Sequence, residues 1–126
     1  MIYVYMISPM ENENQLHMAV VEFIRKKYPN VIIIPGLGEF QKTDELRMEA
    51  WKKGYVAGQP DLIIMHPNKE HHALVIELKS PKQEEVAPSA KQMALLARMR
   101  KLNYKCVVSN NYVDIICDIV EYMSQQ

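Results

Sequence analysis

Cysteine is scarce: only Cys106 and Cys117 occur in the 126 residues, at no spacing that would suit a metal, and both sit in apolar surroundings. This excludes a cysteine-built metal centre, and the pair reads as buried thiols in a reducing compartment. Long hydrophobic runs are missing too. No stretch approaches the roughly 20 apolar residues that span a bilayer, so no membrane helix is expected. The short run Ile2–Ile7 lacks both the length and the basic flank of a signal peptide; it reads as an extra strand or apolar arm, and the chain as intracellular. Repeats, low-complexity tracts and interdomain linkers are absent. Neither sign of charge dominates, since 15 Lys and Arg balance 15 Asp and Glu. With 48% hydrophobic and 24% charged residues, the chain reads as one soluble globular domain over residues 1–126, large enough for a single hydrophobic core.

The zero net charge hides an uneven distribution. Residues 1–40 carry net −1, residues 41–105 net +4, and residues 106–126 net −3. The middle segment therefore has the balance of a phosphate-binding surface. Lys52, Lys53, Lys82 and Lys91 are candidate DNA contacts, together with Lys42, Arg47, Arg98, Arg100 and Lys101. A solvated helix face is the plainer account of most of them.

What the chain does contain is Gly58-Gln59-Pro60-Asp61, then Glu77-Leu78-Lys79. Between them lie two apolar runs, Leu62-Ile63-Ile64-Met65 and Ala73-Leu74-Val75-Ile76, separated by the turn-like stretch from His66 to His71. A hairpin folded about Lys69 sets Asp61 beside Glu77. Because side chains alternate along a strand, Glu77 and Lys79 share a face while Leu78 points into the core. Gly-x-Pro-Asp alone is a common turn and Glu-x-Lys alone a common strand pair; their conjunction at hairpin register is what marks a site.

Two neighbouring acids at neutral pH need either a divalent cation or a shared proton. Mg²⁺ suits an oxygen-ligand site of one or two carboxylates with water and phosphate, and Mn²⁺ suits the same ligands. A lysine beside such a site can orient a water or offset charge developing on a phosphate. That is the chemistry of phosphodiester hydrolysis.

Gly58-x-Pro60-Asp61, Glu77-x-Lys79 and Gln92 at the start of a helix together resemble the PD-(D/E)XK nuclease superfamily. More narrowly they are similar to the VRR-NUC family of replication and repair nucleases, over about residues 13–122. The resemblance implies a stand-alone module with a restriction-endonuclease-like α/β fold, an αβββαβ core whose mixed sheet is flanked by helices. It implies catalytic roles for Asp61, Glu77, Lys79, Gln92 and an acid on the first helix. The metal, Mg²⁺ or Mn²⁺, would be held by Asp61, Glu77, the Leu78 backbone carbonyl and that helix acid, directly or through water. The expected activity is a structure-selective DNA endonuclease of the Holliday-junction resolvase kind, acting on branched DNA as a homodimer. A flap or nicking nuclease and a non-cutting nucleic-acid-binding module are the alternatives.

Glu11 and Glu13 both qualify as the helix acid. Leu16, Ala19, Val20, Phe23 and Ile24 form an apolar helical stripe, and at about 100° per residue Glu13 falls on its side while Glu11 projects away. Glu13 is therefore expected in the site. Ser8-Pro9-Met10-Glu11 reads as the opening cap, with a helix over about 11–28. Downstream, the pattern predicts a strand over 31–34, a helix over 42–53 ending at Gly54, a helix over 89–102, a strand over 104–108 and a helix over 112–123. The usual glycine before the last core strand is replaced by Asn103, which tolerates the same left-handed turn. His17 reads either as a contact to the site or, the reading preferred here, as a residue that simply lines the first helix; His71 and His72 are expected to be exposed; and Trp51 and Tyr55 read either as base-stacking rings or, preferably, as rings packed on the core. The segment from Pro35 to Phe40 reads either as a loop over the substrate or as a plain connection.

Overall fold

The computed structural model describes residues 10–84 and 86–126. The expected strand or apolar arm at Ile2–Ile7 lies outside the described residues.

Helix α1 (Glu13–Lys27) buries Leu16, Val20 and Ile24, one residue per turn along the predicted stripe. Its cap is Asn12, and the expected Ser8-Pro9 opening lies outside the described residues. The Asn12 side chain accepts the Gln15 amide at 2.8 Å, and Gln15 Oε1 accepts the Glu11 amide at 2.8 Å. This reciprocal pair satisfies amides left free at a helix start, so the helix opens two residues later than the proline suggested.

Strand β1 (Ile33–Pro35) follows, then a 3-10 turn (Gly38–Phe40), helix α2 (Asp44–Lys52), strands β2 (Leu62–Ile64) and β3 (Leu74–Leu78), helix α3 (Ala90–Lys101), strand β4 (Lys105–Ser109) and helix α4 (Tyr112–Ser124). Among the described residues the sheet runs β1-β2-β3-β4, antiparallel across its first two pairings and parallel between β3 and β4. This is the expected restriction-endonuclease-like α/β order of helix, three strands, helix and strand. Helix α2 is interposed and α4 follows.

All five residues of β3 are buried, because helices cover both faces of this central strand. Leu74, Ile76 and Leu78 join α1 and α4 in the main core through Leu16, Ile24, Ile115 and Ile119. Val75 faces the other way, onto Leu96 of α3 and Cys106 of β4. Glu77 shares the Val75 face, so a carboxylate near the end of this strand points at α3.

The hairpin connection is tied by Asn68, whose Oδ1 accepts the Glu70 and His71 amides at 3.0 and 2.8 Å. His71 is half-buried rather than exposed, its ring 6.5 Å from that of Tyr122, because α4 packs across the turn. Asn103 adopts φ +69° after α3, the left-handed turn expected of it, and its side-chain Nδ2 donates to the Glu70 carbonyl at 2.6 Å. Cys106 is buried, but Cys117 is exposed. It lies two residues from Ile115, about 200° around α4, on the side away from the core.

Candidate active site

Leu62 pairs with Ile76, so Asp61, just before β2, stands across from Glu77 near the end of β3. Asp61 Oδ2 accepts the Leu78 amide at 2.7 Å, which pins this carboxylate to the neighbouring strand. The Leu78 side chain is buried on the opposite face, as alternation requires.

Gln92 joins the remaining pieces. It occupies the third position of α3, where it completes a capping box: Ser89 Oγ accepts the Gln92 amide at 3.2 Å and Gln92 Oε1 accepts the Ser89 amide at 2.8 Å. The same Oε1 accepts Lys79 Nζ at 2.7 Å, while Nε2 donates to Glu77 Oε1 at 2.9 Å. Only one orientation of the side-chain amide satisfies all of these partners, since the reverse would set donors against donors. One glutamine thus fixes the start of α3, the lysine and the carboxylate together.

Glu77 is only 2% exposed, and its Oε2 is buried without a hydrogen-bond partner. Burial pushes its carboxyl up to about 9; the adjacent Asp61 carboxyl adds to the rise, and Lys79 opposes it. An acid so placed takes either a proton or a cation. Glu13, though largely exposed, also has its carboxyl raised, by partial desolvation first and then by Asp61, with Lys79 opposing and Glu39 adding. Among the described residues no three or more His, Cys, Asp and Glu groups converge as a ready-made metal cage. The orphaned Glu77 Oε2 beside Asp61 nevertheless fits the demand of a hard divalent cation for carboxylate oxygen.

Glu13, Asp61 and Gln92 border a cleft of about 480 Å³, whereas Glu77 and Lys79 are not among its lining residues and meet it through Asp61 and Gln92. Asn12, Glu13, Asn14 and His17 line it from α1; Gly36, Gly38 and Glu39 from the loop after β1; Tyr55, Gly58, Gln59 and Asp61 from the loop before β2. Leu78 and Gln92 complete the wall. Glycine is required at two of these positions. A Cβ on Gly36 would collide with the Pro60 carbonyl, whose neighbour Asp61 accepts the Gly36 amide at 2.9 Å. Gly58 has φ +89°, and a Cβ there would stand 2.8 Å from the Lys91 carbonyl carbon, against the first turn of α3.

Several expectations need correction. His17 lines the cleft instead of merely lining its helix, being one turn beyond Glu13 on the same face. Tyr55 is half-buried in the cleft wall, its phenol raised by burial, then by Asp61, Glu77 and Glu39. Trp51 is 63% exposed and does not pack on the core, because α2 buries no residue at all. Gly36, Gly38 and Glu39 line the cleft, so of the two readings of residues 35–40 the loop at the site is the one the geometry favours, although nothing in the sequence singled out Glu39 within it. Lys52, Lys53, Lys82 and Lys91 are all exposed. Lys53 pairs with Glu49 at 3.0 Å, and Lys91 sits where Gly58 meets α3, at the edge of the cleft.

The fold and the cluster of Asp61, Glu77, Lys79 and Gln92 define an α/β domain of restriction-endonuclease-like architecture with an acid-rich cleft at one end of its sheet. Among solved structures the chain is similar to a protein described as "VRR_NUC domain protein", with a TM-score of 0.74 and 21% identity, over 94% of this chain and 93% of that one. At that identity the likeness is one of fold. No family model matches the sequence, and no curated protein matches it. Among the described residues no helix is long and apolar enough to cross a membrane.

Proposed function

We propose that this chain is a metal-dependent deoxyribonuclease of the VRR-NUC kind, hydrolysing phosphodiester bonds in branched DNA. The observation that carries the reading is the Gln92 bridge. It holds Lys79 Nζ and Glu77 Oε1 on one amide while Glu77 Oε2 stays buried, unpartnered and next to Asp61. A buried carboxyl oxygen facing a second carboxyl is satisfied either by a shared proton or by a cation, and the second is what the nuclease reading requires.

Asp61, Glu77, the Leu78 carbonyl and Glu13, directly or through water, would hold Mg²⁺ or Mn²⁺. When bound, the cation would polarise the scissile phosphate and lower the pKa of a water. The chain supplies the rest. The Leu78 amide keeps the Asp61 carboxylate aimed along the strand ends. Gln92 holds the Lys79 ammonium where it orients the attacking water and offsets charge growing on the phosphate. Attack leaves 5′-phosphate and 3′-hydroxyl ends, as the resemblance implies. Lys52, Lys82 and Lys91, exposed and outside any ion pair among the described residues, would take neighbouring phosphates. A two-fold homodimer would present two such clefts, the arrangement that paired cuts across a four-way junction require.

The test incubates the protein and its Lys79→Ala variant with labelled four-way junction, flap and linear duplex DNA, in Mg²⁺, Mn²⁺ or EDTA. Symmetrical junction cuts that need metal and vanish in the variant are the expected result. Cuts at a flap or nick by a monomer would replace the resolvase by a flap nuclease. Salt-sensitive binding without any cleavage would sink the enzyme and leave a binding module.

A further inference from the structure

Helix α2 is well capped yet contributes no side chain to the core. Thr43 Oγ1 accepts the Leu46 amide at 3.1 Å at its start, Gly54 closes it at φ +108°, and between these caps it buries nothing. Nine residues are marginal as a free helix, and packing of one face is the usual source of a short helix's stability.

The charges on α2 say what kind of surface would pack there. Asp44 is paired with Arg47, and Glu49 with Lys53 at 3.0 Å, each within the helix or its last turn. Two charges of opposite sign are left over, Glu45 and Lys52, in no ion pair among the described residues. Seven residues separate them, so they share one face but stand roughly 10 Å apart along the axis, too far to pair with each other. Met48 lies between them: Asp44, Glu45, Met48, Glu49 and Lys52 line one shallow hollow on this face. Met48 is 53% exposed, and Trp51, three residues on and beside it, is 63% exposed. The face is thus an apolar centre with an acid toward one end and a base toward the other.

Such a pattern is complementary to itself when reversed. In an antiparallel pair of α2 helices, Glu45 of each copy falls opposite the partner's Lys52, Met48 meets its own copy at the centre, and Trp51 lies against the partner's Asp44 and Arg47, where a guanidinium suits the face of an indole. We propose that α2 is the contact surface for a second copy of this chain, the two helices packing antiparallel about a two-fold axis beside Met48 with reciprocal ion pairs between Glu45 and Lys52. An isologous interface uses one patch twice, as this one does. A polyanion suits the helix poorly, because Asp44, Glu45 and Glu49 cancel Arg47, Lys52 and Lys53. Lys52 then serves the interface, and the phosphate contacts fall to Lys82 and Lys91. Two helices this short bury less than the roughly 1,200–2,000 Å² of a standard interface, so the dimer depends on concentration and is reinforced by a DNA that engages both copies. Gly38 and Glu39 before the helix and Tyr55 after it line the cleft, so each cleft is joined to the interface through its own walls. Paired cuts in a four-way junction are the use of that arrangement. This use rests on the nuclease reading; the interface does not.

The test measures the mass of the full chain by sedimentation equilibrium in EDTA without DNA as protein concentration rises, and follows the emission of Trp51, the chain's single tryptophan. The expected result is a monomer giving way to a dimer, with emission moving to the blue as the ring leaves water. Glu45→Lys and Lys52→Glu should each weaken the dimer about tenfold or more, since two attractive contacts become repulsive. Mixing these two variants should restore a dimer, because the surplus bases of one then face the surplus acids of the other, and the double variant E45K/K52E should dimerise by itself. A wild-type monomer at every concentration, or a dimer that neither substitution weakens, would overturn the proposal. Junction cleavage in Mg²⁺ is measured alongside. A dimer that responds as expected but cuts nothing would keep the interface and remove the nuclease. Paired cuts by single variants that stay dimeric would overturn the interface and leave the nuclease standing.

Discussion

Gln92 Nε2 lies 2.9 Å from Glu77 Oε1, so the first turn of α3 and the end of β3 are joined through a single side chain. The same amide accepts Lys79 Nζ and the Ser89 amide. Helix capping and site assembly therefore depend on one residue. Gln92→Ala should lower stability by about 1–3 kcal/mol, the usual cost of leaving part-buried partners unsatisfied. It should also lower cleavage tenfold or more, because Lys79 loses its anchor. Thermal melts and single-turnover cleavage would check this together; a variant that cuts at the wild-type rate would show that the bridge is only a cap.

Glu77 makes the stability of the metal-free protein depend on pH. Its carboxyl is raised from 4.5 to about 9 on folding, by burial first and then by Asp61. Between those values the folded state holds a proton that the unfolded state has released. The stability contributed by this group is thus fully present below about 4.5 and is lost as pH rises through about 9. Denaturant melts in EDTA should show that decline, and Glu77→Gln should flatten it. Adding Mg²⁺ or Mn²⁺ should stabilise the wild-type protein more at pH 8 than at pH 6, since the cation displaces the proton. A divalent effect independent of pH would count against Glu77 as a ligand.

Gly54 and Gly58 both have positive φ, yet their surroundings differ. A Cβ on Gly54 meets nothing within 4 Å, whereas one on Gly58 meets the Lys91 backbone at 2.8 Å. Gly54→Ala should cost about 1 kcal/mol of backbone strain and leave cleavage intact. Gly58→Ala should cost more and also reduce cleavage, because it pushes on the turn that carries Gln92. Equal effects of the two substitutions on cleavage would refute that coupling.

Glu13 and Glu11 are separated by the helix cap. Glu13 opens α1 in the cleft wall, while Glu11 is exposed and precedes the Asn12 cap. Glu13→Gln should weaken metal-dependent cleavage several-fold, and Glu11→Gln should leave it unchanged. Comparing the metal concentration needed for half-maximal cleavage in the two variants decides between them.

The sequence alone determined what is local and periodic. Two apolar runs equidistant from one turn set the register that places Asp61 across from Glu77, and strand alternation put Glu77 and Lys79 on one face with Leu78 behind. Helical spacing put Glu13 on the side of the apolar stripe, where it stands exposed in the cleft wall, and the left-handed tolerance of asparagine placed the Asn103 turn. Tertiary structure decided the rest, because it concerns groups distant in the chain. Which face of β3 meets α3, and hence why Glu77 is buried beside Gln92, depends on helices covering both sides of the strand. His17, Glu39 and Tyr55 enter the cleft because three separate segments converge at one end of the sheet, a convergence that no pattern within any one of them encodes. The exposure of Trp51 belongs here too. Composition marks tryptophan as a core residue, but α2 meets solvent on the surface where the sequence placed it against the core.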